Sequence, residues 1–175
     1  MEFKNVLITG IGGSAGSYLA EYIVENHPEV EVSGIVRWHT EPSLKNLTDC
    51  IDDVNIHECD LQDFSSILRV LQEVKPDCIF HLASHAKQRE GFVNAYYKSW
   101  GLNVIRTRTF GYINPRRKDI FSTSFATQIA KIEKEGSGII KHGNLDSVRT
   151  LIDVRDVAKS YWESMKYCKV GEVYN

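Results

Sequence analysis

No apolar run in this sequence is long enough to span a bilayer, so an ordinary membrane-crossing helix is excluded. Cysteine is sparse. The four present, Cys50, Cys59, Cys78 and Cys168, lack the spacing of a zinc site or a disulfide framework, and free thiols in a reducing compartment are expected. Charge of one sign is also lacking. A net charge of -2 gives no basic surface for nucleic acid, and no such partner is expected. No internal repeat or low-complexity stretch occurs, and with 42% hydrophobic and 25% charged residues the composition does not suggest disorder. Acidic Glu2 before a short apolar run argues against a secretory signal and leads to the expectation of a soluble, cytoplasmic protein. At 175 residues one domain is the natural prior.

The chain is organised around residues 5–16. The apolar run Val6-Leu7-Ile8 stops at a glycine turn, and a segment rich in alanine and leucine follows. That order predicts a first strand, a tight loop and a helix start. Gly10, Gly13 and Gly16 fall three apart, with Gly12 between the first two. The first permits the turn, the second lets the backbone approach a phosphate, and the third lets the helix pack closely on the sheet. The N–H groups of Gly12, Ser14 and Ala15 at such a helix start suit a pyrophosphate.

Further along, helix 14–26 should end at His27-Pro28, because the residue before proline disfavours helix. Strand 30–36 follows and delivers Arg37. An acid there would bind an adenosine ribose 2′-hydroxyl, whereas arginine suits a 2′-phosphate, so Arg37 tilts the cofactor towards NADP over NAD; an ordinary surface arginine is the alternative. Residues 41–53 read as a surface segment or a short helix. A third strand, 54–59, is closed by Asp60-Leu61, where the carboxylate could accept from adenine while the next N–H donates to the ring; a helix cap is the alternative reading of Asp60. Asp63 is the better cap, opening helix 64–74. The fourth strand, 78–84, reads as buried on both faces, with Leu82 and Ala83 beside the pyrophosphate or nicotinamide ribose. A helix over 86–100, a strand over 102–107, a basic loop, a helix over 121–134, a short extended piece at 139–140 and a final helix over 154–168 capped by Asp153 complete the pattern. The fold class is therefore α/β, a Rossmann-like doubly wound parallel sheet. His81 and His85 lie four apart near Cys78, but a strand and its exit do not converge at that spacing, and no metal is expected.

Three stretches carry a resemblance. They are Thr9-Gly10-Ile11-Gly12-Gly13-Ser14-Ala15-Gly16, residues 101–117 with Asn114-Pro115-Arg116-Arg117, and residues 143–157 with Arg149 and Asp153-Val154-Arg155-Asp156. In these the chain resembles the extended short-chain dehydrogenase/reductases, the NAD-dependent epimerase/dehydratase family, and within them the GDP-mannose 4,6-dehydratases and GDP-4-dehydro-6-deoxy-mannose reductases. The resemblance implies an NADP-dependent lyase or oxidoreductase acting on a GDP-sugar. Asn114, Arg116, Arg117 and Arg149 would then contact the sugar nucleotide, a role that fits bidentate arginine recognition of phosphate. The alternatives are a solvated basic turn at 116–118 and an ion pair from Arg149 to Asp146 or Asp153. The resemblance also implies a homodimer built by helices flanking the fourth and fifth strands.

One family feature is missing. Members carry a tyrosine and a lysine four residues apart, and the residues four after the tyrosines here are Tyr22, Asn26, Trp100, Gly101, Arg116, Met165 and Gly171. Tyrosine alone titrates near 10 and needs a cationic neighbour to act as a base near neutrality. The family pattern runs from the fourth strand almost directly into the far half of the missing helix, so the sheet is truncated by an internal shortening near residues 83–90. A family segment beyond Asn175 is not represented either. The expected organisation is a dinucleotide-binding core at 1–109 and a partial sugar-nucleotide-binding region at 110–175. No catalytic residue is assigned. Two readings follow: a dehydratase-like family member, or a chemically inert NADP-binding module or degenerate fragment. In either, strand 102–107 could slide into the vacant slot beside the fourth strand with a right-handed connection.

Overall fold

The computed structural model describes residues 3–37, 44–83, 99 and 103–175. Of the expected helix at 86–100 only Ser99 is among them, and it is helical; Phe92, Tyr96, Tyr97 and Trp100 lie outside the described residues, as do Ser84 and His85.

Strands β1 (Asn5–Thr9), β2 (Glu31–Val36), β3 (Val54–Glu58) and β4 (Cys78–His81) form one parallel sheet in the order β3-β2-β1-β4. The register sets Ile8 beside Gly34 on one side and beside Phe80 on the other. Parallel strands need long crossovers, and helices supply them on both faces. Helix α1 (Gly16–Asn26) covers one face, where Leu19, Ala20 and Ile23 pack with Val6 and Ile8. Helix α2 (Phe64–Val74) covers the other, setting Val70 against Leu7 and Ile35. The doubly wound arrangement is as expected from the sequence.

Local chemistry sets the boundaries. The α1 helix ends at His27, whose N–H donates to the Ile23 carbonyl, directly before Pro28. Asp63 caps α2, accepting from the N–H groups of Ser65 and Ser66 at 3.0 and 3.2 Å. Lys75, at φ 48°, closes that helix ahead of Pro76. Asp77 then accepts from the N–H groups of Lys4 and Asn5, both at 2.9 Å, and locks the foot of β1 to that of β4.

The second half contributes short ladders and two helices. Strand β5 (Arg106–Thr107) pairs with β8 (Val173–Tyr174), and β6 (Tyr112–Ile113) pairs with β7 (Ile152–Asp153), each as a separate two-stranded parallel sheet. Helix α3 (Phe121–Glu135) closes on Gly136 at φ 77°. Helix α4 (Val154–Tyr167) starts at Asp153, which accepts from Arg155 N–H, and lies against α1. There Trp162, 2% exposed, stacks on His27 at 4.3 Å between ring centroids.

Three expectations are corrected. The fourth strand, expected to be buried on both faces, buries Phe80 on one face, while Ile79 and His81 on the other are exposed. The strand expected over 102–107 reduces to two residues, and it pairs with β8 in its own sheet. Among the described residues nothing closes over the shortening beside β4. The extended piece expected at 139–140 is also not formed, because Ile139 and Ile140 face solvent with no strand to pair with. Among the described residues no helix is long and apolar enough to cross a membrane.

Candidate functional site

The glycine loop between β1 and α1 is held to sub-ångström tolerance. Gly10 sits at φ 71°, and a Cβ there would stand 2.9 Å from the Ala83 nitrogen. A Cβ on Gly16 would lie 2.3 Å from the Gly10 carbonyl oxygen. Ile11 is fully buried and anchors the loop from below.

The hydrogen bonding divides the loop into two faces. Gly13 N–H donates to the Gly10 carbonyl at 2.9 Å, and Ser17 N–H donates to the Gly13 carbonyl at 3.0 Å. The Asn46 side chain donates to the Gly12 carbonyl, and that of Asn114 to the Ser14 carbonyl, both at 2.9 Å. The Ser17 hydroxyl adds a bond to the Gly13 carbonyl at 2.8 Å. The carbonyls of Gly10, Gly12, Gly13 and Ser14 are thus covered by protein donors. Among the described residues the N–H groups of Gly12, Ser14 and Ala15 have no protein acceptor, while Ser14 and Ala15 remain half-buried and reachable. A concave set of N–H donors at a helix start is what a phosphate needs. The loop therefore fits the dinucleotide phosphates implied by the sequence.

Beside it, Leu82 and Ala83 leave β4 over the loop. Leu82 N–H donates to the Thr9 carbonyl at 3.2 Å, and Ala83 N–H donates to the Thr9 hydroxyl at 3.3 Å. The same hydroxyl lies 2.8 Å from Nδ1 of His81. His81 is thereby tied to the sheet end.

A cavity of about 470 Å³ opens where β2 and β3 end, lined by Arg37, Glu58, Cys59, Asp60, Asp63, Ser66 and Arg69. The structure thus brings Arg37 and Asp60 to one cleft. Asp63 caps α2, so Asp60 is left to shape the turn. Its carboxylate accepts from Gln62 N–H at 2.9 Å, while Leu61 packs against the sheet. Arg69 donates to the Glu58 carbonyl at 2.7 Å.

Of the residues expected on a sugar nucleotide, three are engaged by protein partners and one is exposed. Asn114 is fully buried, and its amide is engaged by the Ser14 carbonyl and by Arg116 N–H. The Arg116 guanidinium pairs with Glu21, donates to the Ser17 hydroxyl at 2.9 Å and lies 3.9 Å over the Tyr18 ring. Arg117 pairs with Asp119, whose hydrogen bond raises the arginine's pKa further. Arg149 is exposed, and Asp153, one suggested partner, is held by Arg155 instead. Sequence reasoning missed Asn46 and Ser17 as loop ligands. Asn46 lies in a surface stretch 34 positions from its acceptor, and no local pattern marks it.

Comparison with known proteins agrees with this geometry. The family described as GDP-mannose 4,6 dehydratase matches residues 7–92 and 84–175. The two matches overlap at 84–92, close to the shortening expected from the sequence. The chain is similar to GDP-mannose 4,6-dehydratase of Vibrio cholerae serotype O1, 39% identical over 108 residues, 55% of this chain and 27% of the relative. It is similar also to the Homo sapiens GDP-mannose 4,6 dehydratase, 35% identical over 126 residues, 63% of this chain and 33% of the relative. The chain thus spans about a third or less of the length of these two relatives. In fold it is similar to dTDP-glucose 4,6-dehydratase of Bacillus anthracis, solved in complex with NAD, at a TM-score of 0.84 and 17% identity over 98% of this chain and 74% of that one. A sheet wound in this order, a glycine loop with its donors outward and a two-part match over nearly the whole sequence lead to one conclusion: the chain belongs to the GDP-mannose 4,6 dehydratase family.

Proposed function

We propose that this chain binds NADP(H) through its glycine loop and does not itself dehydrate GDP-mannose. The observation that carries the reading is the loop's two-faced hydrogen bonding, with carbonyls covered and N–H groups presented. Gly10, Gly12, Gly13, Ser14, Ala15 and Gly16 would hold the phosphates. Asp60 and Leu61 would face the adenine, and Leu82 and Ala83 the nicotinamide side. Arg37 in the cleft favours a 2′-phosphate and hence NADP over NAD. The cofactor, when bound, supplies a hydride acceptor. A dehydratase also needs a base to take the sugar hydroxyl proton. The sequence has no lysine four after a tyrosine, and burial pushes the Tyr22 and Tyr161 phenols up, so neither is readily ionised to a phenolate base near neutral pH. A GDP-sugar remains a candidate ligand through exposed Arg149, because Arg116 is held by Glu21 and Arg117 by Asp119. Residues 1–109 would then be the dinucleotide core, and residues 110–175 part of the sugar-nucleotide region.

The test pairs two measurements on the purified chain. NADPH should raise the thermal midpoint in a saturable way, and more than NADH at equal concentration. Incubation with GDP-mannose and NADP should yield no 4-keto product by mass spectrometry. Product formation would overturn the inert reading, and an unmoved midpoint would overturn the binding reading.

A further inference from the structure

A peptide unit is planar and trans, so fixing one carbonyl aims the next residue's N–H the opposite way. This turns the covered carbonyls of the glycine loop into a statement about its donors. The Asn114 amide draws the Ser14 carbonyl inward at 2.9 Å, which aims Ala15 N–H outward. The Ser17 hydroxyl, together with Ser17 N–H, draws in the Gly13 carbonyl at 2.8 and 3.0 Å, which aims Ser14 N–H outward. Ser17 is in turn held by Arg116, whose guanidinium donates to the same hydroxyl at 2.9 Å. Arg116 N–H also donates to the Asn114 side-chain oxygen at 3.0 Å and so faces the Asn114 NH2 towards Ser14. Asn114 is 0% exposed, and Arg116 is clamped between Glu21 and the Tyr18 ring. Both residues come from the second half of the chain, about a hundred positions from the loop they hold.

We infer that Asn114 and Arg116 are positioning residues that aim the Ala15 and Ser14 N–H groups at the dinucleotide phosphates, so that binding by the first half depends on the second. The inference rests on the reading of the glycine loop as a phosphate site. It gives these two residues a task on the cofactor side, away from the sugar. Asn46 acts differently. It holds the Gly12 carbonyl, and the N–H that this aims, that of Gly13, already donates to Gly10.

The test measures NADPH affinity and the backbone amide proton shifts of Ser14 and Ala15 in the full chain. Asn114→Asp keeps the shape and the bond from Arg116 but cannot donate to Ser14 when ionised. It should weaken NADPH binding by about tenfold, the order expected when a buried carbonyl loses its donor. It should also move the Ala15 amide resonance with no nucleotide present. Arg116→Lys, at a partly exposed position, should weaken binding by several-fold and move the Ser14 resonance; it serves as the second variant if Asn114→Asp does not fold. Asn46→Ala should weaken binding less than either. Normal NADPH affinity in both folded variants, with Ser14 and Ala15 resonances unchanged, would overturn the inference while leaving the phosphate site intact. A parent chain that binds no NADPH would overturn the phosphate reading. The two amide resonances would still report whether Asn114 and Arg116 orient the loop.

Discussion

Residues 3–83 and residues 103–151 are both patterned with apolar side chains, yet those side chains meet opposite fates. In the first region Val6, Ile8, Ile11, Leu19 and Ile23 are completely buried. In the second, Phe110 is 59% exposed, Ile139 86% and Val148 96%, and Asn114 alone among its described residues is buried. The difference is one of layers. The first region closes a sheet between two helical faces. The second forms ladders of two residues and a helix whose apolar side lies open. Local signals suffice to build α3, with Gly136 to stop it, but burial needs an opposing surface. What connects the second region to the first is polar at Asn114 and Arg116 and apolar at α4.

The sharpest way to break this comparison is to cut the apolar connection. Trp162→Ala removes a ring stacked on His27 and packed near Phe80, and should cost about 3–5 kcal/mol in denaturant unfolding. Gly16→Ala pushes a methyl group onto backbone that cannot move aside. We expect a loss of about 2–3 kcal/mol together with loss of NADPH binding. Asp63→Ala removes the cap of α2 and should cost about 1 kcal/mol, leaving the second region untouched. Val148→Ser, in the open region, should change stability by less than about 0.5 kcal/mol. A loss comparable to that of Trp162→Ala would show the two regions to be equally packed.

Acid should act more gently. Hydrogen bonds from Arg155 hold the Asp153 carboxyl down at about 2, and the N–H groups of Asn5 and Lys4 lower that of Asp77. Both folded-state values lie below the ordinary 3.8, so the stabilisation is complete above that pH and is lost as pH falls towards 2. Asp153→Asn should flatten part of that acid limb in pH-dependent melting. At pH 9, where the Asp153 carboxylate contributes in full, the same variant should be less stable than the parent, having lost the Arg155 pair as well as the charged cap.

The elements legible in the sequence are those set by neighbouring residues. The β1–loop–α1 unit, the α2 boundaries with the Asp63 cap, and the start of α4 at Asp153 all follow from contacts within a few positions. The short β6 and β7 ladder was not legible, because two residues carry no periodicity. The places of Asn46, Asn114 and Arg116 were not legible either. Their partners lie 34, 100 and 95 to 99 positions away, and only the folded chain brings them together. In the candidate site, the glycines were marked by spacing and Arg37 by its place after a strand. The covering of the loop carbonyls had no local signature.

Titration of the purified full chain with NADPH, followed by nicotinamide fluorescence, tests the central claim most directly. A loop with its carbonyls covered and its N–H groups presented predicts one saturable site that is lost in Gly16→Ala. A fluorescence response that never saturates, or one that survives that substitution, would contradict it.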